Sequence, residues 1–177
     1  MAMPRRHPVP TLWLMTDERM GDDLWRAVRR LPRGGGIVFR HHATALPERR
    51  RLFARLLRLA RSRGLILIRA GDVPLAGEMG VHRAPGPGMT TWPVHDVREA
   101  RRARQARAST AFISPVFATR SHPGADSLGR RRARRLALML PMTRIALGGM
   151  DARRFRTMPG FDGWAAIDAW LPPNSRA

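Results

Sequence analysis

Eight short apolar runs, separated by helical patterns or by turn residues, constrain this chain more than any other feature of it. Leu12–Thr16, Gly36–Arg40, Leu65–Ile68, Gly80–His82, Thr90–Val94, Ala111–Ile113, Arg144–Leu147 and Gly163–Ala166 read as strands. Helical periodicity fills much of the space between them. Asp22 opens a helix to about Arg30, with Leu24, Trp25, Val28 and Leu31 at helical spacing. Pro47–Ser62 is the clearest helix. Leu52, Phe53, Leu56, Leu57, Leu59 and Ala60 make its apolar face, and Arg49, Arg50, Arg51, Arg55, Arg58 and Arg61 fill the polar remainder. Further helices are predicted over 96–107, from Arg130 to about Leu140, and over 151–158. Strands that alternate with helices need crossover connections, and crossovers make parallel sheets. Eight strands favour a closed (β/α)8 TIM barrel over a doubly wound sheet. At 177 residues the chain is short for such a barrel, which typically takes about 250, so some helices must shrink to turns. The predicted layout is an arm over 1–11, the barrel over 12–171 and a tail over 172–177.

Composition narrows the function classes. The net charge is +20, and all 33 basic residues are arginine. The arginines spread over several helices with few aromatics among them, so stacking platforms for single strands are not evident. Two readings of the charge stay open: a compositional bias, or weak and salt-sensitive polyanion binding. The absence of cysteine excludes disulfides, thiol chemistry and Cys-ligated zinc. No apolar run approaches the length of a membrane span, and the basic, Pro-rich start lacks the apolar core of a signal peptide. A cytoplasmic location is the expectation, and homo-oligomerisation is left open.

In a barrel the chemistry sits at the C-terminal ends of the strands. The polar positions there are Thr16, Asp17, Arg40, His42, Asp72, His82, His95, Ser114, Thr119, Ser121, His122, Gly148 and Gly149. Arginine, histidine, hydroxyls and a glycine pair suit a phosphorylated ligand held by charge-assisted contacts and backbone N–H groups. Gly148-Gly149 directly after an apolar strand allows close backbone approach to an anion. Other readings of single residues remain. Arg40 either touches a ligand or pairs with a rim carboxylate. His82 is a ligand group or a satisfied interior histidine. Asp72 is a weak metal candidate or a turn residue.

Two stretches carry a family resemblance. Ser114-Pro-Val-Phe-Ala-Thr-Arg-Ser-His122 resembles the loop after the sixth strand in the thiamine phosphate synthase/TenI family, including the TenI-like domains fused to some Nudix hydrolases. Ile145-Ala-Leu-Gly-Gly-Met150 is similar to that family's strand plus glycine pair. The resemblance implies a TIM barrel and a transferase reaction of thiamine biosynthesis, which joins pyrimidine methyl diphosphate to thiazole phosphate with Mg2+. It implies phosphate contacts from Arg40, His42, Thr119, Ser121, His122, Gly148 and Gly149, with Arg40 and His122 as the candidates for a catalytic role.

The chain also departs from the family pattern. Val38 and His42 stand where the family has Gln and Lys, and Ala70-Gly71 stand where it has Asn-Asp. No acid lies near Pro87, and His122 replaces a Lys. Only Asp72 remains as a metal ligand. Pro115 stands where TenI tautomerases carry their histidine. The expectation is therefore a phosphate-binding barrel with weak or no synthase turnover. The alternatives are a non-catalytic TenI-like binding or regulatory protein, and an Arg-rich polyanion binder.

Overall fold

The structure, a computed structural model, describes residues 9–119 and 126–172. Its strands are β1 (Leu12–Met15), β2 (Gly36–Phe39), β3 (Ile66–Ala70), β4 (Gly80–His82), β5 (Met89–Val94), β6 (Thr110–Ile113), β7 (Thr143–Leu147) and β8 (Gly163–Ala166). Each pairs in parallel with the next, and β8 pairs with β1, so the sheet closes. The helices are α1 (Asp23–Arg30), α2 (Leu46–Ser62), α3 (Val97–Gln105), α4 (Gly129–Leu138) and the single turn α5 (Ala152–Phe155). The economy expected from the chain length falls at two places. Residues 71–79 join β3 to β4 and residues 83–88 join β4 to β5, both without a helix.

Alternation along the strands builds two cores. Trp13, Met15, Val38, Ile66, Ile68, Ala70, Phe112, Ile145 and Ala165 point into the barrel. Leu14, Ile37, Phe39, Leu67, Ile113 and Ala146 point out, against Leu24 and Val28 of α1, Phe53 and Leu56 of α2, Ala100 of α3 and Leu136 of α4. Caps fix two of the helix starts. The Asp96 carboxylate accepts from the Glu99 N–H, and Asp151 accepts from the Arg154 N–H. Asp22 holds the N-cap position of α1, but its side chain makes no capping hydrogen bond.

Two local expectations are corrected. β3 does not stop at Ile68; Arg69 and Ala70 pair with Val81 and His82 of β4. The outward Arg69 side chain is stabilised there by Glu78, whose Oε2 accepts from its Nε at 2.6 Å. Arg49 is not on the solvated face of α2. It is 6% exposed, because the first turn of that helix lies over the ends of β2 and β3.

Candidate functional site

The barrel mouth holds a cavity of about 250 Å³. Arg40, His95, Ser114, Thr119, Gly148 and Gly149 line it on the polar side. Met15, Pro115, Leu147, Met150, Ala166 and Ile167 supply an apolar wall, and Asp168 adds a carboxylate. The loop after β6 is fastened to the end of β7: Val116 N–H donates to the Leu147 carbonyl at 2.8 Å, and Phe117 N–H to the Gly148 carbonyl at 3.1 Å. Gly148 and Gly149 have φ of 95° and 60°. A Cβ on Gly148 would lie 2.7 Å from Pro115 Cα, and one on Gly149 2.7 Å from the Ala118 carbonyl oxygen. Only glycine lets the two loops approach this closely.

Four of the seven candidate phosphate contacts therefore share one cavity: Arg40, Thr119, Gly148 and Gly149. His42 is exposed and does not line it. Ser121 and His122 lie outside the described residues. Asp168 was missed by sequence reasoning, although it stands just past β8, where a barrel rim residue belongs.

Arg40 takes the second of its readings, a pairing with a rim carboxylate, at a place open to the cavity. It lines the cavity, and it also donates from Nε to the Thr16 carbonyl at 2.8 Å and from Nη2 to Asp17 Oδ2 at 3.2 Å. Arg19 binds the same carboxylate at 2.8 Å, and this hydrogen bond, with the charges of Arg19 and Arg40, holds Asp17 below the usual carboxylate range. Burial lowers the Arg40 pKa. His95 gives its Nδ1 to Glu99 Oε2 at 2.6 Å.

His82 is an interior histidine with a partner. Its Nδ1 lies 2.9 Å from Thr91 Oγ1, and its ring meets Phe112 edge-on. Burial, helped by the nearby Arg40 and Arg83 charges, pushes it down to about 3. The unfolded chain takes up this proton near pH 6.5, but the folded chain does not until about pH 3. Stability from this group is full above pH 6.5 and falls as pH drops from there toward 3. The expected slope is at most one proton, about 1.4 kcal/mol per pH unit. Urea titrations of wild type and His82→Gln at stepped pH check this. The variant should lose less stability in acid, and equal slopes would refute it.

The rim where β3 ends does not suit a hard divalent cation, which needs several oxygen ligands. Ala70 offers a buried methyl, Gly71 no side chain, and Asp72 is exposed. Among the described residues no three acids and histidines group as a metal site. Arginine crowds the place instead. Arg49 donates from Nη2 to the Ala70 carbonyl at 2.6 Å, and Arg69 donates to the Gly71 carbonyl.

The family model described as thiamine monophosphate synthase matches residues 88–169, just under half of the chain, and includes the β6 loop and the glycine pair. Over these residues the chain is similar to the thiamine phosphate synthase/TenI family. The barrel superposes on a thiamine phosphate pyrophosphorylase from Pyrococcus furiosus with a TM-score of 0.78 at 20% identity, covering 94% of this chain and 90% of that one. It also resembles 3-keto-L-gulonate-6-phosphate decarboxylase from Vibrio cholerae, with a TM-score of 0.62 at 11% identity over 96% and 93% of the two chains. At these identities the likeness is one of fold. No curated protein matches the chain. No described helix is long and apolar enough to cross a membrane.

Proposed function

We propose that the mouth binds a phosphorylated thiazole or pyrimidine of thiamine biosynthesis and turns it over slowly or not at all. The observation that carries this reading is the convergence of the Gly148-Gly149 backbone, Thr119 and Arg40 on one 250 Å³ cavity with an apolar wall. An apolar wall suits a heteroaromatic ring, and backbone donors with a guanidinium suit its phosphate. The match over residues 88–169 supports the choice of ring chemistry. Ser121 and His122 belong to the same proposed grip by their place in the loop. Little turnover is proposed because the acids that would hold Mg2+ are absent from the β3 rim. If the chain is active, the reaction is of the synthase transferase type, with Arg40 and His122 as the candidates for its catalysis.

Calorimetry with thiazole phosphate, pyrimidine methyl diphosphate and inorganic diphosphate tests the proposal. At least one should bind, and a chelator should weaken it by less than about tenfold, or roughly 1.4 kcal/mol. Larger losses would show that a metal takes part. Silence from all three ligands would remove the phosphate reading. The exposed arginines of α3 and α4 should add weak adhesion to polyanions, which rising salt separates from binding at the mouth.

A further inference from the structure

Arg49 is a buried guanidinium. Among the described residues no acid lies within ion-pair distance of it, whereas its neighbour Arg69 is neutralised by Glu78 at 2.6 Å. Arg49 is held instead by neutral groups. Nε donates to the His41 carbonyl at 2.9 Å, Nη2 to the Ala70 carbonyl at 2.6 Å, and the guanidinium carbon stands 5.4 Å from the centre of the Phe39 ring. Burying an ion with no counter-ion is costly unless something returns the energy. Two carbonyls and a cation–π contact return part of it.

The position is specific. His41 follows β2 and Ala70 ends β3, so one side chain ties together the ends of two neighbouring strands. It does so where the family places its Asn-Asp pair. A Cβ on Gly71 would lie 3.7 Å from Arg49 Nη2 and 3.3 Å from His42 Nδ1. Gly71, at φ 89°, thus leaves the guanidinium uncovered by any side chain of its own. A divalent cation at this place would face a fixed positive charge at contact distance.

We propose that Arg49 is a resident cation of the β2–β3 rim: its guanidinium stands there in place of a bound metal, so the rim takes no divalent cation. This does not rest on the phosphate reading above. Arg49 is a positioning residue here, acting through the strand ends and through its charge.

The test needs no phosphate, so it can fail independently of that reading. Ring-proton NMR of the full chain follows His42, the histidine nearest the Gly71 rim. Mn2+ added to millimolar concentration should not broaden the His42 signals ahead of those of the other histidines. Selective broadening at lower Mn2+ would place a metal at the rim and overturn the proposal. In parallel, the His42 titration is read in Arg49→Gln and Arg49→Lys. Burial first, then the Arg49 and Arg40 charges, lower the His42 pKa, against Glu18 and Asp72, which raise it. Arg49→Gln should move the midpoint upward and Arg49→Lys should keep it low, a difference that loss of structural ties alone does not produce. An unchanged midpoint in folded Arg49→Gln would overturn the proposal. Should that variant not fold, the wild-type Mn2+ result and Arg49→Lys still decide.

Discussion

Given pyrimidine methyl diphosphate, thiazole phosphate and Mg2+, the purified chain is expected to form thiamine phosphate at least about a thousandfold more slowly than a relative with the full acid and lysine set. A departing diphosphate develops negative charge that must be met by fixed cations. Ala70 and Gly71 offer no oxygen ligand from their side chains, no acid lies near Pro87, and His42 stands in a lysine position. Arg40 remains, but it shares its charge with Asp17 at 3.2 Å. Losing one such contact commonly costs a hundredfold or more, and here several are missing together. Gly71→Asp should not restore the rate, because the new carboxylate would meet Arg49 Nη2 before it met a metal. The measurement is product formation with both substrates, beside complementation of a strain that lacks the synthase. Fast turnover that Asp72→Ala abolishes would make the exposed Asp72 a relocated metal ligand and would sink the proposed lack of turnover.

The barrel was legible because its strands are apolar runs bounded by turn residues, and such runs show in any sequence. The end of β3 was not, because Arg69 reads as loop until Glu78, nine positions later, is seen to neutralise it. That the glycine pair and Thr119 share one end of the barrel was legible through their place after strands. Arg40 was legible too, but not its partner: Asp17 lies 23 residues away and meets it only because parallel neighbours end side by side. Arg49 was hidden for a different reason. On a helix studded with arginine nothing marks one of them as buried, and its burial follows from where the first turn of α2 lands on the sheet. Asp168 follows an apolar run as Thr16 and Arg40 do, so attention to the last strand would have found it.

Trp13→Ala is expected to destabilise the chain by about 3–5 kcal/mol, the largest effect of any single truncation in the barrel interior. Trp13 is fully buried inside the barrel, where its ring meets Phe112 edge-on at 5.2 Å. Its Nε1 donates to the Pro10 carbonyl at 2.8 Å, so truncation leaves that acceptor without its partner as well as leaving a void. In a chain of this size the loss lowers Tm by roughly 6–20 °C. The neighbouring strand is built around the ring. Gly36 pairs beside Trp13, and a Cβ there would fall 2.3 Å from the indole. Gly36→Ala alone should therefore cost about 1–3 kcal/mol through overpacking. The two positions should not add. Trp13→Leu frees the space that the alanine methyl needs, so the double variant should be more stable than the sum of the singles predicts, by at least about 0.5 kcal/mol. Urea unfolding of the wild type, both singles and the double gives the coupling directly. Strict additivity would mean that the indole does not occupy the space above Gly36, and the account of how β1 and β2 close the barrel interior would fail with it.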